Sequence, residues 1–192
     1  MALPEIQERV YTTQDFWEFS HLPENADKRL QLIEGEIYEM PPAGGEHGGM
    51  TLDLGSQIRS HAKANNLGYT TAAETGYILF KNPNGKDTVV APDVGFISKQ
   101  RLPQGLPKGY IPVAPDLVVE VVSPGDRADE IDQKVVLYLR YGTRLVWMFY
   151  PKTKTVITHN LDGIQRLDIN DMLEGEDVLP GFKLAIREVF GM

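Results

Sequence analysis

The chain has 192 residues, 42% hydrophobic and 24% charged, which gives room for one domain, 1–192, with a sizeable core. The absence of cysteine excludes a disulfide framework and a thiolate zinc site, and it fits a reducing cytoplasm. A net charge of −8 excludes a generic nucleic-acid binder with a basic surface, though not an enzyme with a local basic cleft. The N-terminal MALPEIQERVYTTQ lacks the basic and apolar regions of a signal peptide, and no apolar run approaches the ~20 residues that span a bilayer, so no membrane association is expected.

In chain order, Thr12 or Thr13 caps a short helix through Phe16, Trp17 and Phe19. LQLIEGEIYEM reads as two strands meeting at a Glu34-Gly35 turn. From His47 to about Asn66, the residues Met50, Leu54, Ile58 and Ala62 mark one face of a helix that Gly68 ends. Strands are expected near Tyr69–Ala73, Tyr77–Phe80, Thr88–Val90 and Asp93–Ile97. The stretch from Lys99 to Pro115 reads as a long ordered loop, locally basic through Lys99, Arg101 and Lys108. Leu117–Val122 has the unbroken β-branched character of a central strand covered on both faces. A helix over Ala128–Tyr141 and a strand over Arg144–Tyr150 complete a strand–helix–strand unit, which implies parallel strands joined right-handedly. Thr155–Asn160 is a more polar strand, the region of Glu174–Pro180 a loop, and Leu184–Phe190 a short helix. The class is therefore α/β, with a mixed sheet.

One residue does not suit its surroundings. Glu120 lies among Val118, Val119, Val121 and Val122, and a buried carboxylate must be paired, protonated or bound to a cation. Asp93 has a similar setting, following Pro92 at the head of VGFI. If the two strands are neighbours, the acids converge, and paired carboxylates are oxygen ligands for a hard cation such as Mg²⁺. Lys134, on the following helix, is placed either to reach back to them or to pair with Glu130 one turn away on the surface. Asp93 taken alone reads as a turn or strand-start aspartate after proline, and Asp116 as the start of a strand. His47 in GGEHGG is either a helix-capping or surface histidine or a site residue, and the glycines around it let backbone N–H groups approach a phosphate. No Gly-x-Ser-x-Gly, HExxH, P-loop or GxGxxG pattern is present in a supporting context.

APDVGFI and APDLVVEVVSPGDRADEIDQKVVLYLRYGTRLVWMFYP resemble the bacterial family of "putative restriction endonucleases", a branch of the PD-(D/E)XK nuclease superfamily. The resemblance runs from the N-terminal helix to about Asn160. It implies a restriction endonuclease-like fold with a mixed central β-sheet flanked by helices. It places the first acid of the superfamily pattern on Asp93 and the second on Glu120, with the lysine, normally two residues later where Val122 stands, moved to Lys134. The family's Glu-Leu-Ile-Asp-Gly appears here as Gln31-Leu32-Ile33-Glu34-Gly35, so one acidic side chain is replaced by an amide.

The expectation is an endonuclease dependent on Mg²⁺ (or Mn²⁺) that hydrolyses DNA phosphodiester bonds as a cytoplasmic homodimer. By resemblance, Asp93, Glu120 and the Val121 carbonyl hold the metal and Lys134 assists the attacking water; His47 and the basic loop residues Lys99, Arg101 and Lys108, which otherwise read as a solvated surface turn, are expected to contact substrate. The alternative is an inert nuclease fold retained as a nucleic-acid-binding or protein-binding module, which Gln31 and the acidic balance favour.

Overall fold

The computed structural model describes residues 10–83 and 85–191. Helix α1 (Thr13–Ser20) begins with a reciprocal cap: the Thr12 hydroxyl accepts from the Asp15 N–H, and the Asp15 carboxylate accepts from the Thr12 N–H at 2.9 Å. Strands β1 (Arg29–Ile33) and β2 (Glu36–Met40) form the hairpin read at Glu34-Gly35. Both turn residues have positive φ, +50° and +85°, the backbone that suits a two-residue turn between twisted strands. Helix α2 (Gly45–Ala64) begins two residues before His47, with Gly44 at its cap.

Four strands follow: β3 (Gly68–Ala72), β4 (Tyr77–Phe80), β5 (Thr88–Val90) and β6 (Val94–Ser98). Then come β7 (Leu117–Val121), α3 (Ala128–Arg140), β8 (Leu145–Tyr150) and β9 (Thr155–His159). The tail holds β10 (Ile164–Leu167), β11 (Met172–Glu174), β12 (Lys183–Ala185) and α4 (Ile186–Phe190). Here the sequence reading is corrected. β11 pairs with β12, so the expected loop lies inside a hairpin and the last helix starts at Ile186 instead of Leu184. Strands of three residues are too short to display an alternation.

The central sheet has the order β10-β9-β8-β7-β6-β3. β7 and β8 are parallel, joined by α3, while β6 runs antiparallel to β7. All five residues of β7 are buried. Leu117, Val119 and Val121 share a core with Met50, Leu54 and Ile58 of α2 and with α4, whereas Val118 meets Ile131, Val135 and Tyr138 of α3 on the other face. The molecule is thus α/β, a mixed central sheet flanked by helices on both faces. A second sheet, β2-β1-β5-β4, covers α1 with Leu32, Ile78 and Val89 against Phe16. It meets the central sheet where Tyr77 lies over Gly95, and a methyl group there would sit 2.6 Å from the Tyr77 hydroxyl. Among the described residues, no helix is long and apolar enough to cross a membrane.

Candidate functional site

Where β6 begins and β7 ends, the two acids meet. The antiparallel register pairs Val94 with Val119, and one residue further along it Asp93 faces Glu120. Both are buried, at 5% and 6% exposure. Asp93 Oδ2 accepts from the Val121 N–H at 2.8 Å and lies 3.0 Å from His47 Nε2. Among the described residues, Asp93 Oδ1 accepts no hydrogen bond. A strand residue directs its N–H and its C=O toward the same neighbour. The Val121 carbonyl is therefore directed to the side on which Asp93 lies.

Glu120 stands on the α3 face. Its Oε2 is 3.1 Å from Lys134 Nζ, and its Oε1 accepts from the Tyr138 hydroxyl at 2.6 Å. Lys134 therefore takes the inward of its two possible roles, because Ile131, Val135 and Tyr138 turn the same stripe of α3 onto the sheet. Tyr138 lies on the core-facing stripe of α3 with Ile131 and Val135. Its spacing of four from Lys134 puts both side chains on one helix face, a signal that marks it as a second donor to Glu120.

The electrostatics follow from burial and pairing. Burial pushes the Glu120 carboxyl up, Lys134 pulls it back, and the Asp93 charge pushes it up further. Burial works against the Lys134 ammonium, but the Glu120 carboxylate outweighs it and holds the lysine above its ordinary value. Burial first, and then Glu120, raise Tyr138 well above the usual phenol, so it remains a donor. The hydrogen bond to Asp93 raises His47 despite its partial burial. Among the described residues, no three His, Cys, Asp or Glu side chains gather as metal ligands.

The basic loop does not converge on the acids as a unit. Lys99 and Arg101 follow the far end of β6, a strand's length from Asp93. Lys99 binds the Asn66 side chain there. Arg101 Nη1 lies 3.1 Å from Oδ1 of Asp116, a fully buried carboxylate whose Oδ2 accepts from the Ser98 N–H at 2.8 Å. Arg101 thus fastens the loop to the sheet, and Asp116 is its buried anchor. Asp116→Asn is expected to lower stability by about 3 kcal/mol, as breaking a buried ion pair does; chemical denaturation of the two proteins checks it. Lys108 turns the other way, into a cleft of about 550 Å³ with Lys28, Arg29 and Gln31. Gln31 is 5% exposed, and its Nε2 donates to the Ala91 carbonyl at 3.4 Å, which places the amide beside the approach to Asp93. Lys28 and Arg29, which the sequence reading did not single out, carry no pattern beyond two adjacent cations.

The fold has a solved counterpart. A crystal structure described as a "putative nuclease belonging to DUF820" from Anabaena variabilis ATCC 29413 superposes with a TM-score of 0.79. It is 22% identical and covers 94% of this chain and 97% of its own, a likeness of fold. No curated protein matches the chain. The stretch that carries both acids, the lysine and the histidine lies within residues 16–187, and those residues match the model of the Uma2 family, described as "Putative restriction endonuclease"; the chain belongs to that family.

Proposed function

We propose that the chain is a metal-dependent endonuclease hydrolysing DNA phosphodiester bonds, with its centre at Asp93, Glu120 and Lys134. The observation that carries this reading is the pairing of two buried acids across β6 and β7 with a lysine ammonium 3.1 Å from one of them. The donor set suits a hard cation: all the candidate ligands are oxygens, Asp93 Oδ1 accepts no hydrogen bond among the described residues, and a strand carbonyl is directed toward the pair. Asp93 and Glu120, with the Val121 carbonyl, would hold Mg²⁺ or Mn²⁺. Such a cation, when bound, offsets charge on the scissile phosphate and acidifies a water.

The chain's own residues have separable tasks. Tyr138 fixes one oxygen of Glu120 and leaves the other facing Lys134. Lys134 keeps its proton and so presents positive charge where the transition state gains negative charge. His47 holds Asp93 Oδ2 and places the first turn of α2, with its free N–H groups, beside the centre. A Cβ added at Gly44, Gly45, Gly48 or Gly49 would meet nothing within 4 Å, so packing does not require these glycines. They leave the backbone bare for a phosphate. Gly48→Ala with Gly49→Ala is expected to stabilise the helix by about 1 kcal/mol or more and to weaken cleavage, a combination that paired melting and nicking assays detect. Two copies of the chain, one centre per strand, would account for a double-strand cut.

A second reading has its own observation. Each acid already has a cationic or potentially cationic partner, Lys134 for Glu120 and His47 for Asp93, so the cluster is balanced without metal. An inert module that binds nucleic acid or protein would look the same. Nicking of supercoiled DNA in Mg²⁺ or Mn²⁺, lost in Asp93→Asn, separates the two.

A further inference from the structure

We infer that the cleft between α1, β1 and the loop leading to Ile111 binds an unpaired base of the substrate strand, so that the enzyme acts on single-stranded or locally opened DNA. This rests on the proposed nuclease reading and adds to it the state of the strand. The cleft, of about 550 Å³, is within the size of small-molecule sites. Its wall is aromatic: Trp17 stacks on His21 at 4.0 Å and meets the edge of Tyr110 at 4.9 Å. Trp17 is partly exposed and His21 exposed, so the stack presents ring surface to a ligand.

The cleft is also cationic in a chain of net charge −8. Lys28, Arg29 and Lys108 line it, set against one lining carboxylate, Glu74, which is 3.6 Å from Arg29. Ring faces beside cations are the combination that holds single strands, since every base has a π-face and every nucleotide a phosphate. A base inside a duplex is covered by its neighbours and cannot offer that face without leaving the stack. The cleft adjoins the acids. Gln31 and Ala91 line it, and Asp93 follows Ala91 by two residues, at most about 7 Å of extended chain. A base seated in this cleft therefore belongs to the same bound strand as a phosphate at Asp93 and Glu120.

The test is binding in EDTA at fixed salt, where the metal plays no part. The probes are a short oligodeoxythymidylate and a duplex of equal length. The single strand is expected to bind at least about tenfold tighter than the duplex and to quench tryptophan emission. Trp147 is fully buried, so the quench reports Trp17. Trp17→Phe should keep binding and lose the quench, and Trp17→Ala should lose about tenfold for the single strand only. Lys108→Glu, at an exposed position, should weaken single-strand binding severalfold with the melting temperature unchanged. Equal affinity for the two probes, a quench that survives Trp17→Phe, or unaltered binding by Lys108→Glu would overturn the inference. Single-strand binding of this kind without cleavage under any metal condition would instead overturn the nuclease reading and leave the inference standing.

Discussion

Asp93→Asn is expected to reduce metal-dependent cleavage by at least about 10³-fold, the equivalent of several kcal/mol of lost charge stabilisation in the transition state. Folding should change by only about 1 kcal/mol, one hydrogen bond's worth. The separation follows from the contacts. An asparagine carbonyl in the place of Oδ2 still accepts from the Val121 N–H at 2.8 Å and can accept from His47 Nε2–H, 3.0 Å away, while the amide nitrogen takes the place of Oδ1. What disappears is the negative charge and the free anionic oxygen. The same substitution should abolish stabilisation by metal. For the wild-type chain, Mn²⁺ at about 100 times its dissociation constant should add about 2.7 kcal/mol by mass action, visible as a raised melting temperature. Wild-type cleavage by the asparagine variant would end the assignment of Asp93. A wild-type melting temperature indifferent to millimolar Mn²⁺ would favour the inert module, in which Lys134 and His47 already neutralise the acids.

The site's main axis could be read from the chain because burying a carboxylate is costly and therefore conspicuous. Glu120 stands among four valines, and only a partner explains it. The parallel β7–β8 pair was equally legible, since a buried apolar run, a helix and a second apolar run have one usual connection. The residues that escaped did so for physical reasons. Tyr138 has the spacing of a core aromatic and is one; its hydroxyl reaches Glu120 only because α3 lies across that face of β7. Arg101 looked like a phosphate contact because nothing local shows that Asp116, fifteen residues later, is buried beneath it. Trp17 and the adjacent pair Lys28-Arg29 are separated in sequence and brought into one cleft by packing of α1 on the second sheet, an event without a periodic signature. The β11–β12 hairpin is set by tertiary contact rather than by three-residue propensity.

Lys134→Met is expected to eliminate detectable cleavage and to cost about 3 kcal/mol of stability, because it leaves a buried carboxylate without its cation. Lys134 retains one-quarter of its side-chain exposure, which holds the cost near the low end for buried pairs. The destabilisation has a pH signature. Glu120 is pushed up by burial, with Lys134 the chief opposing influence, so removing the lysine raises the carboxyl further. A folded-state pKa above the unfolded one gives stability that is present at low pH and lost as pH rises through the folded value. The variant should therefore lie nearest to wild type in acid and fall furthest behind near neutrality. Glu120→Gln in the wild-type background sets an amide against the ammonium and should also destabilise. Combined with Lys134→Met, the same change removes the buried charge, while the glutamine carbonyl still accepts from Tyr138, as Oε1 does now at 2.6 Å. The double variant should regain most of the lost stability and none of the cleavage. Recovery of both would show that Lys134 serves only to neutralise Glu120. Recovery of stability alone requires the two charges for the chemistry itself, and urea titrations with plasmid nicking on the four proteins of this cycle distinguish the outcomes.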